Sequence, residues 1–230
     1  IGIVNAVLRA CSVLFSWGRR RGLVTGPSPV SGLQRQAPEQ EARFLSEDEV
    51  ARLLDAARSH GPLLWTVLRT ALLTGLRKGE LLGLRWTDVE LSSGRLTIAR
   101  SFATTPKSGR PRHLRLPAEV VPILAEWQKE CPRTPEGVIF PRRSRSGVWG
   151  MARGAACMAG LSRLLQAAGC RPLRHPFHAL RHTFASHYIM QGGSLAVLQQ
   201  ILGHSDLKHT MVYAHLAPEF LSAEMSRIKF

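Results

Sequence analysis

His178–Tyr213 reads HALRHTFASHYIMQGGSLAVLQQILGHSDLKHTMVY, and the rest of the chain takes its meaning from this stretch. Leu180, Phe184 and His187/Tyr188 recur at three- to four-residue spacing, which predicts a helix that Gly192-Gly193 stops. Ser194 suits the N-cap of a second helix, Leu195–Leu202, which Gly203 ends. In the first helix His178 and Arg181 are three apart and share a face. His204 falls in the loop beyond the second helix, and Tyr213 follows shortly after. A phenol is a poor nucleophile at neutral pH, with a free pKa of about 10. It needs an electrophilic target and surroundings that take up negative charge. Toward a phosphate, an arginine supplies a fixed bidentate donor and histidines supply donors or proton carriers.

Composition points to the same class of target. The chain has 31 Lys and Arg against 16 Asp and Glu, a net charge of +15, and such an excess favours a polyanion. A membrane surface is the rival, but no long apolar segment or concentrated polybasic tail supports it. At 230 residues the chain suits one large domain, or one domain plus a fragment, with ample core. Cys11, Cys131, Cys157 and Cys170 form no CxxC and no zinc spacing, so reduced and mostly buried thiols in a cytoplasmic protein are expected. The chain starts at Ile1 rather than Met and reads as a fragment. Asn5 and Arg9 interrupt its apolar start, and no small-residue cleavage site precedes Arg19-Arg20-Arg21, which argues against a signal peptide.

Upstream, Val4, Leu8, Cys11 and Phe15 predict a helix from Ile1 to about Trp17, followed by a Pro/Gly/Ser-rich linker, Thr25–Pro38. Ser46 and Glu49 form a capping box ahead of Val50, Leu53, Leu54 and Ala57. Pro62 opens another helix, which Gly75 closes. Arg77 stands just beyond that break, with Glu80 three residues on. A carboxylate so placed holds an arginine rigidly, as a phosphate clamp requires. From Trp86 the period changes: Val89/Leu91, Leu96/Ile98 and Leu114/Leu116 alternate as three short strands. Lys107 lies at the tip of the second hairpin, where a lone lysine is normally solvated. Pro117–Glu130 reads as a helix, Pro141–Gly147 as a basic loop carrying Arg142, Arg143 and Arg145, and about Trp149–Ala168 as a further helix. Ala217–Ile228 reads as a last amphipathic helix, with Phe220, Leu221, Met225 and Ile228 as its apolar stripe.

Taken together, these boxes resemble those of the tyrosine recombinases, the phage-integrase and chromosome-dimer-resolution family, over about residue 40 to the end. Thr74-Gly75-Leu76-Arg77 with Glu80-Leu81 is similar to the first arginine box. His178-Ala179-Leu180-Arg181 is similar to the His-x-x-Arg box, Leu202-Gly203-His204 to the Leu-Gly-His box, and Tyr213 to the nucleophile. The resemblance implies a mainly α (α+β) fold, a multihelical catalytic domain with a small three-stranded antiparallel sheet. It implies the end of an N-terminal DNA-binding domain plus linker at 1–38 and a catalytic domain at 39–230. It also implies double-stranded DNA as partner and cleavage and rejoining through a 3′-phosphotyrosyl link, without metal or ATP. Arg77, Arg181 and His204 would take up charge on the phosphate, and Glu80 would hold Arg77. Lys107 would be the general acid, although Pro106 departs from the family's Thr-Lys-x-Gly-like motif. His178 would be the base or proton shuttle at Tyr213. A tetramer on two DNA sites is implied, monomeric without DNA, with the last helix docked on a neighbouring protomer. Two alternatives stand beside this: a type IB topoisomerase-like nicking-closing enzyme, and a catalytically silent DNA-binding module.

Overall fold

The computed structural model describes residues 2–33, 43–102, 111–144, 146–151, 160–173 and 175–217. It divides into two compact units, Ile1–Glu41 and Ala42–Phe230. In the first, helix α1 spans Gly2–Arg20 and ends on Arg19 and Arg20, cations that suit the carbonyl end of a helix. Gly18, near its end, leaves room for the returning Val24, whose methyl would stand 3.0 Å from an added Cβ.

The second unit starts from the expected capping box. Ser46 Oγ accepts from the Glu49 N–H at 3.2 Å, and Glu49 Oε2 accepts from the Ser46 N–H at 3.0 Å, opening α2, Glu47–Arg58. Pro62 opens α3, Pro62–Thr74, and Gly75 closes it in the left-handed region. Gly75 is needed there twice over: its φ is +62°, and an added Cβ would stand 2.3 Å from the Phe184 ring. That close approach seats α3 against α7, Pro176–Met190. Helix α7 buries Phe177, Ala179, Leu180, Arg181, Thr183, Ala185, Ser186 and Ile189, so it is enclosed on most sides rather than along one stripe.

Short helix α4, Lys78–Leu82, leads into the sheet. Strands β1 (Val89–Glu90), β2 (Arg95–Ile98) and β3 (Arg112–Arg115) are antiparallel in that order, with Val89 opposite Leu96, and Leu96 opposite Leu114. The same register sets Arg112 opposite Ile98, on the face that Leu96 and Ile98 bury. Beyond β2 the chain folds back over α4: the Phe102 N–H donates to Gly79 O at 2.6 Å, with Phe102 itself at φ +53°. Lys107 lies outside the described residues.

Helix α5, Val120–Glu130, is shorter than its predicted start at Pro117. Two readings downstream are corrected. Where a loop was expected over Pro141–Gly147, Pro141–Arg143 forms strand β4, which pairs with β5 (Trp149–Met151). Trp149 is therefore strand, not the start of a long helix, and α6 occupies Leu161–Ala167. Helices α8 (Leu195–Leu202) and α9 (Lys208–Met211) follow α7. Ser194 stands at the N-cap of α8 with extended backbone but makes no side-chain capping bond, so the fit expected of its hydroxyl is not realised. The predicted last helix lies outside the described residues from Pro218 onward. Of the cysteines, Cys170 is buried, Cys131 half-buried and Cys11 exposed, against the expectation for Cys11; Cys157 lies outside the described residues. No helix among the described residues is long and apolar enough to cross a membrane.

The main core gathers Leu53, Leu68, Leu81, Ile98, Leu124 and Leu180 from six elements. A second, smaller core joins Ala185 and Ile189 of α7, Leu198 and Leu202 of α8, and Tyr213. Large apolar side chains so buried contribute roughly 1.5–3 kcal/mol each. Tyr213 is thus anchored by the packing that fixes α7 to α8.

Candidate active site

An α-helix leaves its last carbonyls without partners, and the helix dipole makes that end partly negative. At the end of α8 three arginines meet this need. Arg112 Nε donates to Ile201 O at 3.3 Å, Arg181 Nη2 to Leu202 O at 2.8 Å, and Arg77 Nη2 to Gly203 O at 2.9 Å. Gly203 makes the arrangement possible. It turns the chain at φ +64°, and an added Cβ would stand 2.8 Å from the Arg112 guanidinium. Arg181 is 3% exposed and also donates through Nη1 to Gly75 O at 2.9 Å, the carbonyl at the end of α3. Two helix ends therefore aim one guanidinium.

Glu80 binds two of these cations into a unit. Its carboxylate accepts from the Arg77 N–H and Nη1 at 3.0 and 2.9 Å, and from Arg112 Nη1 and Nη2 at 2.9 and 2.8 Å. Glu80 thus bonds Arg77, and Arg112 as well, a residue the sequence reading passed over. Glu80 is wholly buried, which by itself would raise its pKa. The Arg112 hydrogen bonds and charge, with Arg77 behind them, outweigh burial and bring it from 4.5 to about 2. A carboxylate depressed in the fold stabilises it above its unfolded pKa, and that stability is lost as pH falls toward the folded value. The shift is worth about 3 kcal/mol. Glu80→Gln is therefore expected to lower the urea midpoint strongly at pH 7, since it leaves two poorly hydrated cations unpaired, at a cost of about 3–5 kcal/mol. The gap between wild type and variant should close as pH is taken from 5 to 2. Parallel melting curves over that range would show that Glu80 carries no such charge.

His204 sits between the arginines and the tyrosine segment. Its Nε2 lies 2.9 Å from Arg181 Nη2, and its Nδ1 lies 2.9 Å from Thr210 Oγ1. Arginine has no acceptor, so Nε2 carries a lone pair and the ring proton is on Nδ1, donated to Thr210. Burial and then the charge of Arg181 hold the His204 pKa down to about 4, which keeps the ring neutral. Thr210, fully buried, lies in α9 three residues before Tyr213 and ties the tyrosine segment to the loop of His204.

Tyr213 is 3% exposed, and burial pushes its phenol up to about 12, although Arg181 pulls the other way. Its Oη lies 2.6 Å from Nδ1 of His182. Burial, then His178 and Arg181, hold His182 down to about 4, so both partners are neutral. Phenol and imidazole thus share one hydrogen bond. His178 is exposed and stands edge-on to His182, ring centroids 4.3 Å apart. The histidine that meets the phenol is therefore His182, with His178 packed behind it. Arg181 itself is drawn down to about 9 by burial and then by Arg77, and remains charged at neutral pH. An anion placed beside these guanidinium groups relieves that repulsion. No group of three or more metal-ligating side chains occurs among the described residues.

A profile described as "Phage integrase family" matches residues 43–219. The tyrosine recombinase XerC of Xanthomonas campestris pv. campestris (strain B100) is 32% identical over 213 residues, covering 91% of this chain and 62% of that protein. The integrase of Escherichia phage 186 is 33% identical over 221 residues, covering 95% of this chain and 57% of that protein. The chain thus spans less than two thirds of either relative. Among solved structures, the Tn1549 transposon integrase in complex with a circular intermediate DNA superposes with a TM-score of 0.79 at 21% identity, covering 99% of this chain and 80% of that one. At that identity the likeness speaks for the fold.

Proposed function

The chain belongs to the phage integrase family, and we propose that it is the catalytic part of a site-specific recombinase that cuts and rejoins double-stranded DNA through Tyr213. The observation that supports this best is the gathering of Arg77, Arg181 and His204 at one helix end, beside a buried phenol bonded to a histidine. In this reading a backbone phosphate lies against Arg77 and Arg181, whose forks take up the charge that grows on its non-bridging oxygens. His204 aims Arg181 through Nε2. Glu80 keeps Arg77 in place. Tyr213 Oη bonds to phosphorus as the bond to the 5′ oxygen breaks, leaving a 3′-phosphotyrosyl link and a free 5′-hydroxyl. One phosphoester replaces another, so attack by the 5′-hydroxyl of a second strand reverses the step with no outside energy source. Strand exchange then uses two DNA sites and four copies of the chain. The net charge of +15 supports the DNA partner.

Covalent trapping tests the reading. The protein is incubated with a pool of nicked duplexes of randomised sequence, in which cleavage frees a short strand that diffuses away. A protein–DNA adduct stable to denaturing electrophoresis, with the DNA joined through its 3′ phosphate, is the expected result. Its absence across the pool would sink the reading.

Lys107 is assigned the leaving-group proton. A 5′-bridging sulfur at the scissile phosphate makes a leaving group that needs little protonation. Lys107→Ala should therefore fall by about 10²-fold or more on ordinary DNA and recover on the sulfur-bridged substrate, whereas Arg77→Ala should fail on both. Equal failure of Lys107→Ala on both would move the acid elsewhere.

A further inference from the structure

Lys107 lies five residues after Phe102 and five before Arg112, so its segment leaves and returns through those two positions. Both are fixed on α4. On the outgoing side, the Phe102 N–H donates to Gly79 O at 2.6 Å, beside the Gly83 N–H, which donates to the same carbonyl at 3.1 Å. Gly79 and Gly83 are buried and four apart, and the backbone at Phe102 lies on the bare face they form. A Cβ added at Gly83 would stand 2.7 Å from both Phe102 N and Phe102 O. One added at Gly79 would stand 2.3 Å from Ser101 Oγ and 2.9 Å from the Phe102 ring. Phe102 holds φ +53°, which a bulky residue keeps only where its surroundings impose it. On the returning side, Arg112 closes the β2–β3 ladder opposite Ile98 and sets both terminal nitrogens on the Glu80 carboxylate. The two ends of one segment thus converge on consecutive residues, Gly79 and Glu80.

We propose that this part of α4 positions Lys107: the glycine pair and the Glu80–Arg112 bridge set the segment that carries it in register with Arg77. This rests on the reading above, in which Lys107 protonates the leaving oxygen while Arg77 holds the phosphate. Arg77 stands at the N-cap of α4 and bonds the same Glu80 through its N–H and Nη1. Acid and clamp therefore share one short base, and a misplacement of about 1 Å between such groups costs about 10²-fold. Arg112 spends all three guanidinium nitrogens on Glu80 and Ile201 O, so it acts through these partners as a positioning residue. The step itself is unchanged: a proton passes from Lys107 Nζ to O5′ as the P–O5′ bond breaks, and the neutral amine takes it back in the reverse direction.

The sulfur-bridged substrate tests the placement, because its leaving group needs little protonation. Gly83→Ala is the probe. Its φ of −93° accepts alanine, while the added methyl displaces the backbone at Phe102. Adduct formation on the duplex recovered from the trapping pool is expected to fall by about 10-fold or more on ordinary DNA, with duplex binding unchanged. On the sulfur-bridged form it should stand close to wild type. In a Lys107→Ala background the same substitution should cost nothing further on ordinary DNA. Gly79→Ala, where side chains alone must move, should repeat the pattern in milder form, and it decides alone if Gly83→Ala does not fold. Arg112→Lys keeps the charge and loses the fork; it should regain part of its lost rate on the sulfur-bridged substrate, and a loss of equal size on both would overturn its share in placing Lys107. Wild-type rates in the glycine variants, or losses of equal size on the two substrates, would overturn the proposal while leaving the function reading intact. Lys107→Ala failing on both substrates would overturn the acid assignment and this proposal together. No adduct from the wild-type protein would overturn the function reading as well.

Discussion

Tyr213→Phe is expected to yield no covalent adduct while binding duplex DNA as tightly as the parent chain. The loss should be complete to the limit of detection, because the substitution removes the one atom that can bond to phosphorus. Only two tyrosines occur, and Tyr188 lies within α7, packed against the smaller core rather than bonded to His182. Folding should survive. The phenol ring fills the space between α7 and α8, and phenylalanine keeps that ring. What the variant gives up is one hydrogen bond, worth about 1 kcal/mol. Gel-shift titration beside the trapping assay decides the matter, and an adduct that persists in Tyr213→Phe would move the nucleophile elsewhere.

Arg181→Ala is expected to lower cleavage by about 10²–10³-fold, the usual cost of removing a preorganised donor to a developing oxyanion. Arg77→Ala should cost a similar factor. The lysine variants tell more. Arg181 spends its two terminal nitrogens on Gly75 O, Leu202 O and His204 Nε2, in three directions that one planar fork can serve together. A lysine ammonium at that place cannot hold both helix ends and the histidine, so Arg181→Lys should recover little activity and should lose stability as well. Arg77 is part-exposed and is held mainly by Glu80, so Arg77→Lys keeps more of its structure while losing the fork. Single-turnover cleavage and urea melts of both lysine variants separate the two roles. Near-normal cleavage by either would show that its guanidinium supplies charge alone.

Much of this site can be read from local spacing, and what escapes is tertiary. Gly75, Arg77 and Glu80 lie within six residues, and Leu202-Gly203-His204 are contiguous, so their grouping needs no fold. The partner of Tyr213 lies 31 residues away and is one place beyond the arginine that draws the eye. A signal was present: His182 stands four residues after His178, hence on the same face of a helix. Arg112 also left a trace. Leu114 and Leu116 mark the inward face of β3, and stepping back two residues along that alternation lands on Arg112. The β4–β5 hairpin was hidden for a different reason. Arg142 and Arg143 give its first arm no apolar alternation, so period-2 reading found nothing to hold. Trp149 and Met151 then read as the start of the helix that follows.

Three arginine bonds of the site join parts of the chain that are far apart in order: Arg77 to Gly203 across 126 residues and Arg112 to Ile201 across 89, both at the end of α8, and Arg181 to Gly75 across 106, at the end of α3. Contacts of such span close late, because the entropy of long loops is lost before they form. A ribosome releases Arg77 and Glu80 long before it releases α8 or Tyr213. Until then the α8-end carbonyls that help aim the guanidinium groups do not exist, and a half-made chain has no competent pocket. The same holds for a chain whose α8 has frayed. In the proposed reading, in which Tyr213 cuts DNA, tying reactivity to contacts between distant parts of the chain is a safeguard against stray cutting by nascent or damaged copies.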